Sequence, residues 1–372
     1  MPDQRTAAAR VPAQRWGRLT LALTLLLGAC ATETPTQQSA PQANQPGTPA
    51  PAPAATPAVA PPPSAEETLL RSIAAQQDRL YRVSAPLIVN NADLCRSHAR
   101  NLLGLTAKNR YSFSTDMAEA ARRALGLGEQ LQVTGVLPGG GAARSGIRPG
   151  DILVAVDDKP FPAGENAERQ AGMLLSPMIT GKSSLKMTIS RNGANLPVTV
   201  PPTYGCAYGI ELGNSDNVTA YSDGHRVLIT RGMLNTLSSD DELAYVMAKE
   251  MAHNSLAHAN RLKINATAGG LIDKLVRLRP DPAATSGLAG LRPMPQELDA
   301  MADKLSLYLL ARAGYNVDRV IPFWERMASQ YPATNQTAYT ALHPATEYRL
   351  AAMKKALADI KTKMAARKPL MP

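Results

Sequence analysis

Residues 64–81 (SAEETLLRSIAAQQDRLY) place apolar side chains at helical intervals, and Ser64 with Glu67 forms the S-x-x-E start of a capping box. Residues 82–111 carry no clear period. Asp116 to Leu125 is helix-like again and runs into Gly126-Leu127-Gly128. Short β-type runs follow at Leu131 to Leu137, Ile152 to Val156, Leu185 to Ser190 and Leu196 to Val200. Past Pro202 the pattern turns helical. Val218 to Tyr221 and Arg226 to Thr230 predict a β-hairpin around Asp223-Gly224. Ser239-Asp240-Asp241-Glu242 is a second capping box with acidic residues suited to a helix N-terminus. The helix it opens shows an apolar stripe of Leu243, Val246, Met247 and Met251. No internal repeat is present.

The N-terminal pattern differs. Arg5, Arg10, Arg15 and Arg18 precede a short apolar run from Leu19 to Ala29. Such a run falls short of the roughly 20 residues of a spanning helix and reads as an export signal over 1–29. It ends in Leu27-Gly28-Ala29-Cys30, which resembles a bacterial lipobox with Cys30 as the lipidation site. Ala31 in place of Asp favours sorting to the outer membrane. The stretch up to residue 63 is rich in Pro, Ala, Thr and Gln, lacks core-forming side chains and predicts a disordered tether over 30–63. A flexible coil of that length spans roughly 30–35 Å.

Charge adds little to this picture. The chain carries +10 over 372 residues, of which the export signal holds +3. No basic run interleaved with aromatics is present, so nucleic acid is not an expected partner. An exported chain meets an oxidising compartment, where Cys95 and Cys206 are expected to form a disulfide across the middle segment. The alternative is two separate buried thiols.

Candidate chemistry lies in Lys249-Glu250-Met251-Ala252-His253. An H-E-x-x-H motif sets two imidazoles one helical turn apart on a metal, with a glutamate as base. Here lysine stands at the first histidine. Lysine offers no lone pair unless deprotonated and brings positive charge to a cation's place. His258, five residues beyond His253, should point to another side of the helix. His98 and His225 have no motif context.

Two resemblances organise these observations. Ala142-Ala143-Arg144-Ser145-Gly146-Ile147-Arg148-Pro149-Gly150-Asp151-Ile152-Leu153, with Asp157-Asp158 at the next turn, resembles the bacterial PDZ domain. That resemblance implies peptide binding by strand addition, with Leu125, Gly126, Leu127 and Gly128 as the carboxylate-binding loop. Glu242-Leu243-Ala244-Tyr245-Val246-Met247-Ala248-Lys249-Glu250-Met251-Ala252-His253 resembles the zinc metallopeptidase family that includes the heat-shock membrane protease HtpX, the CAAX prenyl endopeptidase and several periplasmic proteases. Downstream, Asp299-Ala300-Met301-Ala302-Asp303 matches the family's E-x-x-A-D with aspartate at the ligand glutamate, and Leu342-His343-Pro344-Ala345-Thr346-Glu347-Tyr348-Arg349 matches its T-H-P-x-T-x-x-R with leucine at the first threonine.

These resemblances imply an α+β chain. A mainly helical zincin-like domain with a small hairpin or sheet would occupy 64–111 and 203–372, and a β-rich PDZ domain 112–202. Glu250 would be the base and Asp303 a supporting residue. His253, Asp299 and His343 would be the remaining zinc ligands. Lys249 stands at the lost ligand position, where it could pair with Glu250 or Asp299. Two readings follow. In one, a degenerate peptidase tethered by lipid binds peptides or unfolded envelope proteins without cutting them. In the other, an active zinc endopeptidase serves envelope quality control. A purely structural lipoprotein would leave Glu250, His253 and Asp303 unexplained.

Overall fold

The computed structural model describes residues 62–372. The export signal, Cys30 and the tether up to residue 61 lie outside the described residues. Ser64 caps the first helix, accepting from the Glu67 N–H at 3.2 Å, and the helix runs over Ala65–Val89, beyond the expected residue 81. Leu70, Leu80, Val83, Leu87 and Ile88 are its buried apolar positions.

The chain then enters a two-stranded antiparallel ribbon of Ala99–Leu102 with Thr203–Cys206. Everything between these strands is an insertion whose entry and exit lie side by side. Cys95 and Cys206 form a disulfide there, with Cα atoms 5.6 Å apart. Both cysteines are fully buried.

The insertion is built on a six-stranded sheet. Its main path runs Leu105–Lys108, Gln132–Val136, Ile152–Val156, Leu185–Arg191 and Ala194–Val200, and Lys159–Pro160 pairs with Ile152–Val156. Leu105–Lys108 belongs to this sheet although it precedes residue 112. Four residues are too few to display a period, so the strand left no mark in the sequence pattern. Helices Thr115–Leu125 and Ala167–Gly181 complete the insertion. Asp151 of the Gly150-Asp151 pair is buried and takes Arg191 through Nε at 2.6 Å and Nη2 at 2.7 Å. That charge-assisted pairing explains an acid at this position.

The remaining residues form a helical domain around a three-stranded sheet. Ala220–Ser222 and Arg226–Thr230 form the expected hairpin. Gly209–Gly213 adds in parallel to Arg226–Thr230, which the sequence reading did not anticipate. Gln77 of the first helix bonds the Ile210 carbonyl at 2.9 Å and the Leu212 N–H at 3.0 Å, so a side-chain amide closes the outer edge of that strand.

The motif helix spans Asp240–Ser255. Ser239 Oγ accepts from the Glu242 N–H at 3.2 Å, while the Glu242 carboxylate takes the Ser238 N–H at 2.8 Å, so only half of a capping box is present. Every residue from Leu243 to Ser255 is buried. The helix therefore lies inside the core rather than showing one apolar stripe to it, and its polar side chains must find partners there.

Candidate functional site

Two helices and one loop converge on the motif helix. Helix Gln296–Ala313 brings Asp299 and Asp303, the loop before Glu347–Ala365 brings His343, and helix Glu347–Ala365 brings Arg349. Lys249 is fully buried, with Nζ 2.7 Å from Asp303 Oδ1 and 3.2 Å from Asp299 Oδ1. Its ammonium also lies 5.3 Å from the centre of the Trp324 ring. The expected pairing with Asp299 is present. The described contacts pair Lys249 with Asp303 where Glu250 was the other expected partner, and Glu250 accepts the Tyr339 hydroxyl at 2.5 Å.

Asp303 is the anchor of the cluster. Arg349 grips it through Nε at 2.7 Å and Nη2 at 3.0 Å, and Arg349 Nη1 donates to the His343 and Pro344 carbonyls at 2.9 and 2.7 Å. One residue thus ties the histidine loop to the second site helix. Asp299 Oδ1 meets His343 Nδ1 at 2.7 Å and His253 Nε2 at 3.1 Å. Asp299 Oδ2 lacks a hydrogen bond, although Arg349 Nη1 stands 3.4 Å away.

Burial alone would raise the Asp299 carboxyl, but His343, the Lys249 ammonium and hydrogen bonds from both imidazoles hold it well below its ordinary value. Burial lowers His343, against the opposing pull of Asp299. Burial and the neighbouring His253 lower His258 to about 3. Tyr339 is pushed well above its ordinary value by burial and by the Glu250 charge.

His258 departs from expectation. Helix Asp240–Ser255 stops before it, and Ala257 takes a left-handed φ of 55°. The chain doubles back, and His258 Nδ1 reaches His253 Nδ1 at 2.9 Å. Extrapolating helical periodicity past the helix end gave the wrong direction. His98 and His225 lie together beside Tyr208 instead, with His98 5.1 Å from the Tyr208 ring. Sequence reasoning did not find Tyr339, which carries no motif signal. Arg349 closes the H-P-x-T-x-x-R stretch, a pattern that by itself assigns it no role.

His253, Asp299 and His343 each offer one ligand atom within 4.8 Å of the others, a group that could hold a metal ion. The donor types suit zinc. The arrangement around them suits an ammonium. His343 Nδ1 and His253 Nε2 stand 2.7 and 3.1 Å from Asp299 Oδ1, against about 3.3 Å between two ligands on a tetrahedral zinc. The carboxylate oxygen that both imidazoles share also faces Lys249.

Glu250 and His343, both buried, border a small cavity of about 30 Å³. Room for roughly one water remains. Ser222, Leu291, Met294 and Leu342 line it.

In the PDZ domain, Leu125–Gly128 forms the end of a helix and the turn after it. Leu125 ends a helix, Gly126 caps it at φ 73°, and Leu127 is fully buried. The Gly128 carbonyl takes the Arg110 N–H at 3.0 Å. The Glu129 carbonyl takes Gly164 N–H at 3.0 Å and Asn109 Nδ2 at 3.1 Å. Leu105–Lys108 is the terminal strand of the sheet, entered through Leu103 and Gly104 at φ 75°. Half-buried Leu105 and Ala107 pack on the same core as Leu174, Leu175 and Ile179 of helix Ala167–Gly181. The expected carboxylate loop Leu125–Gly128 thus carries a helix cap, with Gly126 making the chain reversal.

Residues 199–357 match Peptidase family M48, and residues 132–177 match the PDZ domain. The chain carries a Peptidase family M48 domain and a PDZ domain. Mitochondrial metalloendopeptidase OMA1 of Saccharomyces cerevisiae is 27% identical over 141 residues, covering 36% of this chain and 41% of the relative. The protein of the same name from Schizosaccharomyces pombe is 26% identical over 152 residues, covering 38% and 43%. The matches thus span less than half of those relatives' length. Among solved structures, the HtrA3 PDZ domain with a phage-derived ligand is 18% identical with a TM-score of 0.23, covering 29% of this chain and 89% of that one. The HtrA-type protease AlgW with a decapeptide is 26% identical with a TM-score of 0.21, covering 28% and 30%. The M48 match includes Lys249, Glu250, His253, Asp299, Asp303, His343 and Arg349, so the cluster belongs to the peptidase domain.

Proposed function

We propose that this chain is an envelope lipoprotein whose peptidase domain has exchanged its metal for an internal ion pair and binds peptides or unfolded proteins without cutting them. The observation that carries this reading is the Lys249 ammonium, fully buried between Asp303 at 2.7 Å and Asp299 at 3.2 Å. Asp299 and Asp303 are matched by Lys249 and Arg349, which leaves Glu250 as the one further buried carboxylate of the cluster. A dication added beside Lys249 would meet like charge in a low-dielectric interior. Without an activated water, Glu250 has nothing to deprotonate, and the Tyr339 hydroxyl already occupies one of its oxygens.

Binding would then rest on the PDZ domain. The terminal strand Leu105–Lys108 is the edge to which an extended peptide could add. Lipid on Cys30 would hold the protein at the outer membrane, on the periplasmic side, with 30–63 as the spacer. Among the described residues no helix is long and apolar enough to cross a membrane.

A second reading, an active zinc endopeptidase, draws on one observation: His253, Asp299 and His343 hold their donor atoms within 4.8 Å of one another. Zinc content separates the two. Protein lacking residues 1–30 is purified and its zinc per chain measured beside Lys249→His, with an unfolded protein as substrate for both. Our reading expects zinc in Lys249→His alone. Stoichiometric zinc and Glu250-dependent cleavage in the unaltered chain would establish the second reading.

A further inference from the structure

The segment between helix Asn265–Leu275 and helix Gln296–Ala313 holds one short 3-10 turn, Pro282–Thr285, and is otherwise irregular. Connections of that length without structure are uncommon in compact domains and are mostly functional. Here the segment covers the cleft. Leu291 and Met294 of the segment, with Ile264 and Ala268 from the start of the preceding helix, face the same small cavity as Glu250 and His343. The cover has its own apolar cluster, in which Leu271, Ile272, Leu275 and Leu291 pack with Tyr221 and Leu342. Backbone bonds fix it at both ends, from Asn214 N–H to the Leu275 carbonyl at 2.8 Å and from Met294 N–H to the Leu342 carbonyl at 2.7 Å.

Just past Leu275, where Asn214 Nδ2 also donates to the Leu278 carbonyl at 2.5 Å, the segment reaches the PDZ insertion. Leu278 packs against the cluster of Leu70, Met117, Ala121 and Leu127. Arg279 Nη1 stands 3.5 Å from Asp116 Oδ2. Met117 and Asp116 lie on helix Thr115–Leu125, which follows the open-edge strand Leu105–Lys108 after residues 109–114. One segment therefore touches the cleft at one end and the edge-strand connection at the other.

We propose that residues 265–294 form a lid closed over Glu250, and that helix Thr115–Leu125 of the PDZ insertion is its latch. The lid opens when Leu278 and Arg279 leave that helix, so movement of the edge strand changes access to the cleft. The latch holds whether or not the cleft contains a metal, because neither Leu278 nor Arg279 touches the histidine cluster.

Amide hydrogen exchange on the full chain tests this without any activity readout. In Leu278→Asp, exchange across 265–294 and at Ala220–Ser222 should accelerate roughly five- to tenfold, the scale of one lost apolar contact. By reciprocity, exchange across 115–125 should rise too. Arg279→Asp, an exposed change that leaves folding intact, should give roughly a twofold acceleration. Adding Asp116→Arg to it should reverse that gain, and Arg277→Asp should change nothing. Unchanged lid exchange in both Leu278→Asp and Arg279→Asp would overturn the latch. If Leu278→Asp fails to fold, the Arg279→Asp and Asp116→Arg pair decides alone. Such a failure would leave the Lys249 reading untouched, since zinc content is independent of lid exchange.

Discussion

Lys249 is a cation in a socket with two carboxylates and an aromatic face. Removing one partner from a buried ion pair leaves the other uncompensated. Lys249→Met should therefore cost about 3–5 kcal/mol, read as a fall in the denaturation midpoint with unchanged slope. An equal stability would mean that the cluster is not an ion pair. The histidines predict acid sensitivity. His258, lowered to about 3, and His343, lowered from its ordinary value, are neutral in the fold at neutral pH. Below the ordinary histidine value the unfolded chain takes up protons that the folded chain refuses. Stability should thus fall as pH drops from about 6.5, by up to about 1.4 kcal/mol per pH unit for each group. For His258 the loss continues toward its folded value of about 3. Thermal melts between pH 7 and pH 5 check this, and His258→Asn should flatten the slope. Lys249, Glu250, His253 and Asp299 were legible because motif spacing lies along the chain. Tyr339 was not, since its contact with Glu250 joins residues 89 positions apart.

Among elements, helices with caps were the easiest to read. Ser64 and Ser239 cap the helices they were expected to start. Ser239→Ala should cost about 1 kcal/mol, measurable by chemical denaturation. Helix ends were harder, because the first helix continues to Val89 through a stretch with no visible period. Short strands were hardest. Leu105–Lys108 pairs with Gln132–Val136 over a helix-length interval, and only tertiary contact defines it. Its neighbour supplies a further test. A side chain at Gly135 would come within 2.4 Å of the Tyr81 ring on the first helix. Gly135→Ala should destabilise the chain by about 1–3 kcal/mol through overpacking. A neutral effect would show that the PDZ sheet and the first helix can separate freely.

At the scale of the whole molecule, the PDZ domain is an insertion held at its base by a paired ribbon and the Cys95–Cys206 disulfide. The sequence order allowed that insertion to be recognised, and the structure adds that its two ends are pinned together. Closing so long a loop restricts the unfolded chain, and replacing both cysteines by alanine should cost about 2–5 kcal/mol under oxidising conditions. The difference should vanish in reductant. The M48 match over residues 199–357 and a zinc-compatible donor set point toward hydrolysis, while one lysine points away from it. The central claim is that a side-chain ammonium has taken the metal's place. Zinc per chain, measured on purified protein and on Lys249→His in parallel, tests it most directly. The account predicts no bound zinc in the unaltered protein and about one zinc per chain after the substitution. One zinc per chain in the unaltered protein, lost on mutating His253 or Asp299, would contradict it.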